Sequence, residues 1–172
     1  MKICGIDIGL DGGLCFMDGI DYTNFILYKI PITKIGNKKD VDLKLLFSIL
    51  NSEGPDLIIY EDIKTIFGVS KTTMFSLGKQ IGYIKAYAAF TETTTYKIAP
   101  KKWQEIIHSN IALIQIDGKY KESFYKSISA LYNILPENII KDKFFKQKRY
   151  DDGLIDAYLL AYYIFLKCNN KL

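Results

Sequence analysis

A chain of 172 residues that is 49% hydrophobic and 24% charged is long enough for one folded domain with a sizeable core and too apolar for a disordered one. No apolar run reaches the roughly 18 residues that span a bilayer, and the first residues lack a secretory pattern, so an intracellular, cytoplasmic protein with no membrane partner is expected. The net charge of +4 comes almost wholly from lysine, since Arg149 is the sole arginine, and its placement therefore matters more than its size.

The first thirty residues read as three strands. Residues 2–8 are apolar enough for a central strand, 12–17 follow a glycine-bearing turn, and 22–30 alternate up to Pro31. Their short connections favour antiparallel hairpins. A polar loop around Gly36-Asn37-Lys38-Lys39 leads to a helix from about Asp42 to Leu50, with Leu43, Leu46, Phe47 and Leu50 on one face. A fourth strand starts at Pro55-Asp56 and ends at Glu61. The apolar positions Met74, Leu77, Ile81, Ile84 and Ala88 predict a helix over 72–90, and 93–98 a fifth strand. Helices over 101–107, 121–135 and 151–166 complete the chain. The order predicts an α/β fold, a mixed five-stranded sheet flanked by helices, in a single domain over 1–172 with no repeat or long linker.

Cys4 and Cys15 fall in expected buried strands and Cys168 near the C-terminus, without the spacing of metal ligands, so free thiols are expected and zinc is not. The acids are more informative. Asp7 and Glu61 each end an apolar run, where an uncompensated charge would cost stability. Asp152 and Asp156 lie about 40° apart around a helix, whereas Asp151 and Asp156 lie about 140° apart. Asp151 suits the N-cap and Asp152 the site. If strands one and four are neighbours, Asp7 and Glu61 stand side by side with the last helix over their ends. Carboxylates gathered in this way repel one another, and a hard divalent cation such as magnesium removes that penalty.

These residues resemble the RuvC-type Holliday junction resolvases of the RNase H/retroviral-integrase superfamily, in particular compact phage and viral members. The resemblance runs from Gly5-Ile6-Asp7-Ile8-Gly9-Leu10-Asp11-Gly12-Gly13, through Ile58-Ile59-Tyr60-Glu61, to Asp152-Gly153-Leu154-Ile155-Asp156-Ala157. Between them, Leu77-Gly78-Lys79-Gln80-Ile81-Gly82 matches the family's Leu-Gly-x-x-x-Gly helix, and Pro100-Lys101-Lys102-Trp103 its proline-plus-lysine segment. One departure is spacing: bacterial members commonly set the last two acidic positions three apart, and here they are four apart, which keeps Asp151 beside Asp152 as an alternative. The resemblance implies an RNase H-like fold and a homodimer that makes paired symmetric nicks in four-way DNA junctions. It also implies two magnesium ions per active site, replaceable by manganese, on Asp7, Glu61, Asp152 and Asp156. Lys102 and Lys121, or Lys119 in place of the latter, would stabilise charge on the attacked phosphate.

Branched DNA is thus the expected partner. The block Lys141-Asp142-Lys143-Phe144-Phe145-Lys146-Gln147-Lys148-Arg149, just before the acidic helix, offers Lys143, Lys146, Lys148 and Arg149 to phosphates, against the plainer reading of a solvated loop. Lys64, Lys71 and Lys101 are expected on the same DNA surface. Phe67 is a candidate for stacking on an opened base. Gly78 and Gly82 leave a smooth strip for a second helix, Trp103 reads as an anchor of the fold, and His108 as structural or exposed. The turn Gly9-x-x-Gly12-Gly13 also resembles the phosphate loop of actin-like ATPases, which need a second copy that 172 residues do not hold. Two readings stay beside the resolvase: a related nuclease for other branched DNA or RNA, and a catalytically silent DNA-binding module.

Overall fold

The computed structural model describes every residue except 37, 63–69, 110, 115–120 and 147–148, and at 35 and 146 the backbone alone. A five-stranded mixed sheet is its centre, in the order β3-β2-β1-β6-β7. β1 (Lys2–Asp7), β2 (Gly13–Asp18) and β3 (Phe25–Lys29) form the antiparallel hairpins expected of short connections. β6 (Leu57–Glu61) then adds to the other edge of β1 in parallel, and β7 (Thr94–Ile98) adds to β6. Parallel neighbours need a crossover. The first is made by α1 (Leu43–Glu53), the second by α2 (Lys71–Thr91).

Alternation along the strands sorts their side chains onto two faces. Cys4, Ile6, Leu14, Phe16, Ile58 and Tyr60 pack with Leu46 and Leu50 of α1 and Ile84 and Tyr87 of α2. Ile3, Cys15, Met17 and Ile59 face the other helices: α3 (Pro100–Ile107), α4 (Glu122–Ile134), α5 (Glu137–Phe144) and α6 (Asp152–Cys168). β1 is covered on both sides, which is why its sequence reads as an unbroken apolar run. α6 is buried around most of its circumference, from Gly153 to Phe165, because the sheet lies on one side and α3 and α4 on the other.

Two segments differ from expectation. The polar stretch after Pro31 is a hairpin, β4 (Ile32–Ile35) with β5 (Lys38–Val41), turning through Gly36 in the left-handed region (φ +61°). Its lysines hid an alternation that ends in the buried Val41. The basic block is no plain loop either: Pro136 caps α5, whose Ile140 and Phe144 are buried one turn apart, and β8 (Phe145–Lys146) pairs with β9 (Arg149–Tyr150). No helix among the described residues is long and apolar enough to cross a membrane.

α6 reaches β1 without side chains between them. A Cβ on Gly5 would lie 2.1 Å from the Ala157 carbonyl oxygen and 2.7 Å from the Ala161 nitrogen. Gly5→Ala therefore forces a helix off a strand, and we expect a loss of at least about 1–3 kcal/mol in urea unfolding, in the range of overpacked cores. A Gly5→Ala midpoint equal to that of the parent would show that the helix has room to move.

Candidate active site

The ladder places the site before any side chain is considered. Asp7 pairs with Gly13, and Gly13 with Lys29, so the three lie in one row across β1, β2 and β3. Ile6 pairs with Tyr60, so Asp7 and Glu61 come next on adjacent strands. Parity puts the row on the face of Ile3, Gly5 and Ile59, the face that α6 covers. The first turn of α6 is seated on the β1–β2 turn by glycines: a Cβ on Gly153 would lie 2.4 Å from the Asp11 carbonyl oxygen, and one on Gly13 2.7 Å from the Gly153 carbonyl oxygen. A bridge between Gly12 and Gly153 closes the contact. Asp152 and Asp156 are thereby brought over Asp7.

The electrostatics record this convergence. Burial, with Asp156, Glu61 and Asp152 adding repulsion in that order, holds Asp7 well above the usual carboxylate range; Lys29 opposes the shift. Asp156 is pushed up to about 8 by burial and by Asp152 and Glu61, against a hydrogen bond from Ser127. Glu61 is raised by burial, countered by a hydrogen bond from Trp103. Asp152 is raised by burial and lowered by Lys121 and Lys29. The four acids share one field, although among the described residues no three acidic, histidine or cysteine side chains are gathered tightly enough to enclose an ion. Their chemistry fits a hard divalent cation: oxygen donors only, mutually repelling and desolvated.

Asp151 lies apart from this set. Its side chain caps α6 by accepting from the Leu154 N–H (3.2 Å), and it pairs with Lys29 Nζ at 2.9 Å. Lys29 also donates to the Asp11 carbonyl. Sequence reasoning missed Lys29, although its register opposite Gly13 follows from the two hairpins it did expect. Lys121, at the N-cap of α4, acts on Asp152. Lys102 is exposed and its field is felt by Tyr96. Lys119, Lys64 and Phe67 lie outside the described residues, as do Lys148 and the side chain of Lys146.

Two further residues hold the acids in place. Trp103 is fully buried and donates its indole N–H to Glu61 Oε1 at 2.8 Å, so its polar edge belongs to the site. Ser127, buried on α4, donates to Asp156 Oδ1 at 3.1 Å and lies 3.3 Å from His108 Nε2. His108, expected to be structural or exposed, is linked through Ser127 to Asp156. Gln80, buried on α2, accepts from the Gly9 N–H at 3.1 Å and fixes the turn beyond Asp7. Single polar residues on the apolar faces of α2 and α4 were the available signals.

The DNA-contact residues named from sequence are spread over several elements. Lys71 starts α2 and is exposed. Lys101 lies 3.8 Å from Glu105, Lys141 2.6 Å from Glu137 and Lys143 3.4 Å from Asp142. Arg149 is exposed on β9.

No family model matches the sequence, and no curated protein matches it. Solved structures do. Thermus thermophilus RuvC in complex with a Holliday junction substrate is similar with a TM-score of 0.58 at 13% identity, over 99% of this chain and 97% of that one. T. thermophilus RuvC in another structure has a TM-score of 0.52 at 15% identity, over 99% and 98%. Fowlpox virus resolvase, in a complex with substrate Holliday junction DNA, has 0.51 at 17% identity, over 98% and 99%. The chain therefore has the RuvC-type, RNase H-like α/β fold over nearly its whole length.

The raised acids make stability depend on pH with a definite sign. The folded protein keeps a proton on Asp156 up to about pH 8, whereas the ordinary value is 3.8, so stability falls as pH climbs from about 4 through about 8. In EDTA, Asp156→Asn should flatten this fall and exceed the parent at pH 8 by at least about 1 kcal/mol, roughly 2–4 °C in Tm. Parallel Tm–pH curves for the two proteins would mean that Asp156 titrates as an exposed carboxylate.

Proposed function

We propose that this protein is a Holliday junction resolvase, a homodimeric, metal-dependent endonuclease that hydrolyses phosphodiesters symmetrically in four-way DNA. The observation that carries the reading is the row of Asp7 and Glu61 on adjacent strand ends, faced by Asp152 and Asp156 on α6, in a RuvC-type fold. Asp7, Glu61, Asp152 and Asp156 would hold two magnesium ions, or manganese in their place, and these would activate water and stabilise the departing 3′-oxygen.

The chain's own groups have defined tasks around that chemistry. Trp103 fixes the rotamer of Glu61, and Ser127 that of Asp156, so the donors are aimed before a cation arrives. Lys29 holds α6 through Asp151 and offsets charge on Asp7 and Asp152. Lys121, exposed beside Asp152, is placed to attract the phosphate. Lys102 would approach the phosphate from α3, with its field also acting on Tyr96. A silent binding module is disfavoured because gathering and burying four acids at one end of the sheet costs stability that such a module would have no reason to give up.

Two symmetric cuts need two sites about a two-fold axis. A Cβ at Gly78 or Gly82 would meet nothing within 4 Å, so this strip of α2 packs against no other part of the described chain. Ala86, Ala89 and Phe90 continue the exposed surface, and we place the dimer contact there.

Cleavage of synthetic four-way junctions, flaps and linear duplex, with magnesium and with EDTA, tests the activity. Asp7→Asn, Glu61→Gln and Asp156→Asn should each abolish cleavage and leave junction binding intact or tighter. Asp152→Asn should be far more damaging than Asp151→Asn. A fully active variant among the first three would remove its residue from the site.

The dimer has a separate test: sedimentation at roughly twice 19.7 kDa, weakened by Gly78→Leu or Gly82→Leu. A monomer that still makes paired nicks would contradict the two-fold scheme.

A further inference from the structure

The β4–β5 hairpin carries a charge arrangement that its own packing does not explain. Lys34 and Lys39 stand directly opposite one another, and Lys38 follows on the next pair. Like charges in cross-strand register destabilise a two-stranded ribbon. All three ammonium groups are exposed, and among the described residues none has an acidic partner. The hairpin's acid, Asp40, is committed to Lys79 of α2.

Between this hairpin and the first turns of α2 lies an open groove of about 740 Å³, within the roughly 300–1,000 Å³ of pockets that take a ligand of nucleotide size. Its walls include Lys38, Lys39, Thr72, Thr73 and Phe75, together with Gly9, two residues beyond Asp7. Phe75 is 74% exposed, an aromatic ring left in water beside unpaired lysines. Lysines for a backbone and a ring for a base, sharing one groove, are the elements of a single-strand track.

We propose that the groove between the β4–β5 hairpin and the start of α2 binds a single-stranded DNA segment, with Lys38 and Lys39 on its phosphates and Phe75 stacked on an unpaired base. The proposal rests on the nuclease reading only for what it adds: a path for a strand leaving the branch point beside Asp7. It assigns to the hairpin the anionic partner that its lysine pair lacks.

The test is anisotropy with a labelled oligothymidylate 15-mer in EDTA, so that binding is read without cleavage. K38Q/K39Q should lose about tenfold or more in affinity, and its log–log salt dependence should flatten by about 0.7 for each lost phosphate contact. Its Tm should hold or rise, because the opposed charges are gone. Phe75→Ala should bind the oligonucleotide roughly 5- to 150-fold more weakly, the range set by loss of one stacked base, and bind blunt duplex unchanged.

Parental affinity in either variant would overturn the proposal. So would poly-glutamate competing as well as unlabelled oligothymidylate at equal charge, since an acidic polypeptide would then fit equally. A parent protein that shows these losses yet cleaves no branched DNA would sink the nuclease reading and leave the groove standing.

Discussion

The approach of α6 to β1, helix backbone against strand backbone, is the contact on which the rest of the structure depends. Gly5 removes the side chain that would keep them apart, and Gly13 and Gly153 repeat the device where the helix begins. A helix at ordinary distance from a sheet, about 10 Å away, would leave Asp152 and Asp156 in a separate field from Asp7. Here they perturb one another strongly, and the perturbation reports the packing. The apolar circumference of α6 follows from the same constraint, since a helix pressed into a sheet must be covered on its outer side as well.

Burying acids in this way is unfavourable, and the surrounding residues offset part of it without neutralising it. Trp103 and Ser127 supply neutral donors to Glu61 and Asp156, while Lys29 and Lys121 act from the edge. A lysine placed inside the cluster would lower the acids further. The cluster is left under-compensated, a condition that favours a divalent ion over a side-chain ammonium. Protons fill the same need in its absence, which is why Asp156 holds one up to about pH 8.

The fold was largely legible in the sequence because its strongest signals are local. Apolar runs ending in acids gave β1 and β6, and helical spacing gave α1, α2 and α6. Of the candidate site, the convergence of Asp7, Glu61, Asp152 and Asp156 was legible because the first two end strands and the last two lie in the opening turns of α6. What escaped was set by pairing at long range. Lys29 looks like any strand-ending lysine until two hairpins are put in register, and Ser127 like any helical serine until α4 packs on α6. Trp103 was recognised as an anchor, but its hydrogen bond to Glu61 depends on where β7 delivers α3. The β4–β5 hairpin escaped for a different reason: its lysines oppose the propensity of a strand, and tertiary burial of Val41 outweighs them.

Charge is therefore sorted by depth. The acids lie within, at the end of the sheet, and the unpaired lysines of the hairpin lie outside, with Gly9 at the boundary between them. The net charge of +4 understates this separation, because lysines on α3, α4 and α5 are paired locally with Glu105, Glu122 and Glu137. A polyanion meeting such a surface is attracted at long range by the fringe and repelled at short range by the centre, unless the centre first gains positive charge. Long-range attraction and close approach of a polyanion then have different requirements: the lysines suffice for the first, whereas the second needs the charge of the acids offset.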